Sequence, residues 1–181
     1  MFVFASRSPT TKGAVAELKI ASAAAQLGIV VAWPLMEGRR YDLIFDTGPE
    51  LYRVQCKSAS RHGDVVRVLT RTSRLTSRGH VRTTYTAAEI DAVAAYCEAT
   101  DECYFLPISE IDGQSMVHLR LQPARNNQTQ GVKMAVDYRL GAIAQLGERV
   151  TGSHEVAGSS PASSTDEQAA HQGGLFSFAD P

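Results

Sequence analysis

The apolar residues of this chain keep two different spacings, and each change of spacing marks an element. From Thr11 to Leu27 the residues Val15, Leu18, Ala21, Ala25 and Leu27 form a loose stripe at helical spacing, which predicts a helix. Gly28 follows it and predicts a C-terminal cap, because glycine takes the left-handed conformation at little cost. Two apolar runs come next, Tyr41 to Phe45 and Leu51 to Cys56, joined by the turn formers Thr47-Gly48-Pro49-Glu50. They read as paired strands. Asp64 to Thr70 predicts a further strand, with Val66 and Val68 on one face. Residues 71–85 are rich in Arg, Thr, Ser and Gly and lack apolar periodicity, so a loop or a distorted hairpin is expected. Thr86-Ala87-Ala88-Glu89 fits a capping box, and Ile90, Val93 and Cys97 continue as a stripe, which predicts a second helix. Cys103 to Ile108 and Met116 to Leu121 read as strands. The order predicts an α/β sandwich with a mixed central β-sheet flanked by helices.

In a strand, residues two apart face the same side. Gln55 and Lys57 therefore share a face, while Val54 and Cys56 point the other way into a core. If the hairpin register brings Asp42 beside them, a carboxylate, an amide oxygen and an ammonium surround one point. Hard cations take oxygen ligands, and a nearby lysine can orient water or steady phosphate charge. Glu17, on the first helix, would be the second carboxylate. Asp46 is a competitor for the metal, since it can share the strand face of Asp42. Taken singly, each of these residues has a bland reading as a turn or surface group, and it is their joint order that points to a site.

That order, a helix carrying Glu17, then Tyr41-Asp42-Leu43, then Val54-Gln55-Cys56-Lys57, resembles the PD-(D/E)xK nuclease superfamily in its Gln-x-Lys variant. The wording is most similar to the homing endonucleases associated with group I introns. Tyr104-Phe105-Leu106-Pro107-Ile108, Leu119-Arg120-Leu121 and Asn126-Asn127-Gln128 agree with it, and the resemblance spans roughly residues 9–140. The sequence departs from the superfamily pattern in two places: no proline precedes Asp42, and Gln55 stands at the usual acidic position. The resemblance implies a restriction-endonuclease-like fold and a Mg²⁺-dependent DNA endonuclease, with Mn²⁺ as a possible substitute. Glu17, Asp42 and Gln55, with the Cys56 backbone carbonyl, would hold the metal, and Lys57 would serve the attacking water or the phosphate. Alternatives are a nuclease like the Holliday-junction resolvases, or a degenerate nuclease that binds DNA without cutting. Tyr85 and Asp91 match positions where the family has a tyrosine and a helical aspartate, and a core or capping role is expected of both.

Charge sharpens this picture. The formal net charge of the 181 residues is −1, yet between Arg53 and Arg82 eight basic residues face one acid, Asp64. Such a block would neutralise the phosphates of double-stranded DNA. Arg67, Arg71, Arg74, Arg78 and Arg82 are the expected contacts. Asn126, Asn127 and Gln128 could read base edges through their amides, or simply form a turn. His62, His80, His118 and His154 have no ligand-like spacing. Cys56, Cys97 and Cys103 are odd in number and likewise unspaced for a metal, so reduced thiols are expected. No apolar run is long enough to cross a membrane, and the start of the chain does not read as a signal peptide. A cytoplasmic protein of a bacterium or phage is expected, with an even-numbered homo-oligomer if both strands of a symmetric site are cut.

The chain changes character after Leu140. Gly141 to Thr165 reads GAIAQLGERVTGSHEVAGSSPASST, which resembles a transfer-RNA gene translated in a protein frame. Ala144 to Arg149 can be encoded by a typical D-arm, and Gly158 to Pro161 by a typical T-arm. The stretch matches the length of one tRNA gene, as if a mobile element had been inserted beside it. The expected division is thus a nuclease domain over 1–140 and a disordered tail over 141–181, poor in core-forming residues.

Overall fold

Helix α1 covers Pro9–Gln26 in the computed structural model, which describes residues 8–77, 79–123 and 131–145. Ser8 caps its start, its hydroxyl accepting from the Thr11 N–H at 3.2 Å, and Pro9 occupies the first turn, where no N–H is needed. At the other end the Gly28 N–H bonds the Ala25 carbonyl and the Ile29 N–H bonds that of Ala24. This is a complete Schellman closure with Gly28 at φ 80°, as its position predicted. The buried face differs from the expected stripe. Ala16, Ile20, Ala21 and Ala24 face the core, whereas Leu18 is 64% exposed. The small alanines let the helix lie close against the sheet.

The strands are β1 (Val30–Ala32), β2 (Leu43–Asp46), β3 (Leu51–His62), β4 (Val65–Leu69), β5 (Arg71–Thr76), β6 (Gly79–Thr84), β7 (Ala92–Cys97), β8 (Glu102–Pro107), β9 (Met116–Arg120) and β10 (Lys133–Met134). The hairpin of β2 and β3 is antiparallel with Leu43 opposite Val54 and Asp46 opposite Leu51. The turn between them is closed by the Thr47 N–H on the Glu50 carbonyl and by the Gly48 N–H on Asp46 Oδ1. β3 runs on six residues past Cys56, where the sequence pattern had ended it, and becomes the trunk of a branched mixed sheet. β7 lies parallel to its middle, from Val54–Ala92 to Ala59–Cys97, and β8 pairs β7 antiparallel. The far end of β3 pairs β4, which pairs β9 in turn.

Alternation along β3 and β7 divides the core. Val54, Cys56, Ala92, Ala94 and Tyr96 pack with α1 on one side. Val93, Ala95 and Cys97 pack with Val66, Val68, Val117 and Leu119 on the other. So the sheet is covered by α1 on one face and by the β4–β9 arm on the other. The expectation of several flanking helices is corrected: α1 is the one α-helix among the described residues.

The helix expected from Thr86 is a strand. The capping chemistry does form, since Glu89 Oε2 accepts from the Thr86 N–H and hydroxyl, but it closes a single turn. The Asp91 N–H then bonds the Arg53 carbonyl and draws the chain onto β3. Ala92–Cys97 is buried on both faces, and a short apolar run of that kind fits a central strand as well as a buried helix. The open edge of β3 decides between them. Arg71–Thr76 and Gly79–Thr84 pair as a regular two-stranded antiparallel hairpin, β5–β6, separate from the main sheet. The three cysteines are free thiols. No helix among the described residues is long and apolar enough to cross a membrane.

Candidate active site

Three predicted groups converge where β2 enters the sheet. The Asp42 N–H bonds the Val54 carbonyl at 2.9 Å, which fixes the carboxylate beside β3. Asp42 Oδ2 accepts from the Cys56 N–H at 2.8 Å and from Gln55 Nε2. The same Gln55 nitrogen lies 3.3 Å from the Cys56 carbonyl oxygen. Both neighbours are acceptors, so the group facing them must be the amide NH₂. An electropositive donor thus stands between two oxygens predicted to hold a cation.

That donor set fits a hard divalent metal, whose ligands are carboxylate, carbonyl and amide oxygens. For Gln55 to offer its oxygen, the amide has to turn over. No group of three or more His, Cys, Asp or Glu residues comes together as a metal site among the described residues.

Asp42 is half-buried, and burial pushes its pKa above the ordinary value of 3.8; the Cys56 N–H, the charge of Lys57 and the Gln55 amide pull it back only in part. The nearby charge of Glu17 adds to the upward push. Glu17 lies on α1 as expected, but its Oε1 accepts from the Trp33 indole N–H at 2.8 Å rather than joining the Asp42 cluster.

Lys57 shares the face of Gln55, paired with Ala95 while Gln55 pairs with Val93. Its ammonium lies 5.2 Å from the centroid of the Tyr85 ring and makes no ion pair among the described residues. Burial lowers its pKa, Arg40 adds to that, and the charge of Asp42 opposes it. A lysine held in this way releases a proton more readily than one in water. Arg40 lies 4.7 Å from the same ring centroid, pairs with Glu89 at 3.0 Å and donates to the Thr84 carbonyl. Sequence reasoning missed Arg40 and Trp33. The signal was there, in the Arg39-Arg40 pair before Tyr41-Asp42 and in the chain's one tryptophan. Tyr85 is a core residue at 2% exposure, as expected, and Asp91 pairs with Arg53 at the start of β7 instead of lying on a helix.

The competitor Asp46 is spent on the β2–β3 turn through Gly48. Among the basic residues, Arg82 is exposed and Arg71 half-buried, both on the β5–β6 hairpin. Arg67 is half-buried, with Nη1 3.4 Å from His62 Nε2. Arg74 lies in β5, but its side chain is outside the described part, and Arg78, Asn126, Asn127 and Gln128 lie outside the described residues.

The Asp42 carboxylate, the Gln55 amide and the Cys56 carbonyl lie together, with Lys57 on the face of Gln55, on a β-hairpin backed by a helix, an arrangement consistent with a phosphodiesterase of the restriction-endonuclease class. The PD-(D/E)XK endonuclease family matches residues 7–141, and the chain belongs to it. Among solved structures it is similar to that of the bacterial homing endonuclease I-Ssp6803I, with 26% identity and a TM-score of 0.64, over 82% of this chain and 100% of that one. No curated protein matches the sequence.

Proposed function

We propose that this endonuclease cuts double-stranded DNA with Mg²⁺, or Mn²⁺ in its place, and that it is of the homing type. The observation that carries this reading is the convergence of Asp42 Oδ2 and the Cys56 carbonyl on one point, with Lys57 on the face of Gln55. A divalent cation held there by Glu17, Asp42, Gln55 and the Cys56 carbonyl would offset the scissile phosphate's charge and make water acidic enough to attack in line. Asp42 and Glu17 supply the negative charge that such a cation needs. Lys57, half-buried beside the Tyr85 ring, would take the water's proton or steady the charge building on the phosphate.

The β5–β6 hairpin carries Arg71 and Arg82, and a two-stranded ribbon fits the major groove of B-DNA. These arginines, with Arg67 and the predicted Arg74 and Arg78, are the proposed phosphate contacts. Similarity to I-Ssp6803I along that chain's whole length supports the homing reading. Cutting both strands of a nearly symmetric site calls for an even-numbered oligomer.

The test is incubation of the purified chain with supercoiled plasmid and with a four-way junction, in Mg²⁺ and in EDTA. Linear plasmid in Mg²⁺ alone is the expected result. Cutting of the junction only would favour a resolvase. Salt-sensitive DNA binding with no cutting in Mg²⁺ or Mn²⁺ would mean a nuclease that has lost its chemistry.

A further inference from the structure

We propose that Trp33 is a positioning residue, and that its indole N–H sets how tightly this site takes a divalent cation by holding Glu17. The inference rests on the proposed ligand role of Glu17. Trp33 directly follows β1, which pairs β2 with Ala32 opposite Ile44. Ile44 lies two residues beyond Asp42 in the chain. The tryptophan is 52% exposed, so burial of its ring does not account for its place. Pro34 follows and restrains Trp33 to extended backbone, which fixes the direction from which the indole approaches. Its one polar atom donates to Glu17 Oε1 at 2.8 Å. Among the described residues Oε2 has no hydrogen-bond partner.

The chemistry of the donor matters. An arginine or lysine at this place would hold the carboxylate but also cancel its charge, as Arg53 does for Asp91. An indole N–H is a neutral donor with no acceptor function. It can freeze the torsions of a long glutamate side chain, commit one oxygen, and leave the full negative charge and the second oxygen for a cation. Partners of this kind behind a metal ligand are worth roughly 10–100-fold in metal affinity or activity.

The experiment is calorimetric titration of the full chain with Mn²⁺, without DNA, for wild type, Trp33→Phe, Glu17→Gln and the double variant. Phe keeps the aromatic bulk and removes the donor. Trp33→Phe is expected to bind Mn²⁺ about tenfold more weakly, and the double variant no more weakly than Glu17→Gln alone. Since Trp33 is the chain's one tryptophan, wild-type emission should also change with Mn²⁺ at the calorimetric midpoint, and lose that response in Glu17→Gln. Wild-type affinity in Trp33→Phe, with Glu17→Gln weakened, overturns the inference and leaves the ligand role of Glu17 standing. Losses that simply add in the double variant also overturn it, because Trp33 would then act other than through Glu17. Wild-type affinity in Glu17→Gln sinks both. Should Trp33→Phe fail to fold, the emission measurement decides: no response in wild type to saturating Mn²⁺ refutes the coupling.

Discussion

Two clusters along β3 have the same parts and opposite character. In each, a carboxylate accepts from a backbone N–H of β3: Asp91 from Arg53 at 2.7 Å, and Asp42 from Cys56 at 2.8 Å. In each, β3 also supplies a cation on one strand face, Arg53 or Lys57. Burial pushes both carboxylates up, but Arg53 answers it for Asp91, with Nε and Nη2 at 3.0 and 2.8 Å, and the Asp91 pKa ends below 3.8. Lys57 lies beside the Tyr85 ring instead, and its pull on Asp42 does not offset burial, so the Asp42 pKa ends above 3.8. The first cluster is a clamp that joins β7 to β3. The second is a pair of desolvated charges held short of neutralising each other. That residual tension can be relieved by a cation and a phosphate, which is what a catalytic site needs and a clamp does not.

Exchanging the two clusters in turn should separate chemistry from stability. Asp42→Ala and Lys57→Ala are each expected to lower Mg²⁺-dependent plasmid cutting on the order of 10³-fold or more, with little change in melting temperature. Asp91→Ala should do the reverse, costing about 2 kcal/mol of stability through its charged hydrogen bonds while the folded fraction cuts normally. Initial rates and urea melts on the three proteins check this. A fast Asp42→Ala enzyme, or a catalytically dead but stable Asp91→Ala, would break the distinction.

The contrast between engaged and available cations extends to the arginines. Arg53 and Arg40 are tied into the fold, whereas Arg71 and Arg82 make no ion pair among the described residues. Neutralising Arg71 and Arg82 together should flatten the slope of log binding constant against log salt by about two counterions' worth. An unchanged slope in a filter-binding or anisotropy titration would remove the hairpin from the DNA interface.

The two carboxylates should also give opposite pH signatures in the metal-free protein. Asp42 has a raised folded pKa, so its contribution to stability is greatest below the unfolded value of 3.8 and is lost as pH rises through the folded one. Asp91 has a lowered pKa, so its contribution is present above 3.8 and is lost as pH falls through its folded value. Asp42→Asn is therefore expected to stabilise the protein relative to wild type near neutral pH, and Asp91→Asn to destabilise it there, with both differences shrinking in acid. Urea melts across pH read this directly. Metal binding competes with the proton on Asp42, so added Mg²⁺ should move the acid limb of cutting to lower pH.

The smallest effect is expected at the C-terminal boundary. Leu140 is buried against α1, and a 3₁₀ helix continues over Leu140–Gln145. The proposal that the nuclease domain ends near 140 then predicts that a chain ending at Gln145 cuts like the full chain. One ending at Leu140 should lose only a few degrees of melting temperature, because it places a terminal carboxylate beside a buried leucine. Of the tail expected to be disordered over 141–181, residues 141–145 belong to this 3₁₀ helix and 146–181 lie outside the described residues. A failure of the Gln145 chain to fold would show that later residues belong to the domain.

Much of the candidate site was legible because its chemistry is local. Gln55 and Lys57 sit on a strand whose alternation announces their shared face, and a four-residue turn brings β2, with Asp42 just ahead of it, alongside. The order of those motifs carried the resemblance to the family that the match over residues 7–141 bears out. By itself the sequence determined α1 and its Schellman stop, the β2–β3 hairpin, the burial of Val54 and Cys56, and the polar face opposite. What only the tertiary structure decided is long-range. Ala92–Cys97 carries apolar residues at every position, so its own pattern cannot choose between helix and strand, and the choice fell to the free edge of β3 more than thirty residues earlier in the chain. The buried stripe of α1, the ring of Tyr85 under two cations, and the bond from Trp33 to Glu17 depend likewise on which surfaces meet in space. Periodicity records what a residue wants next to it, and only packing supplies the neighbour.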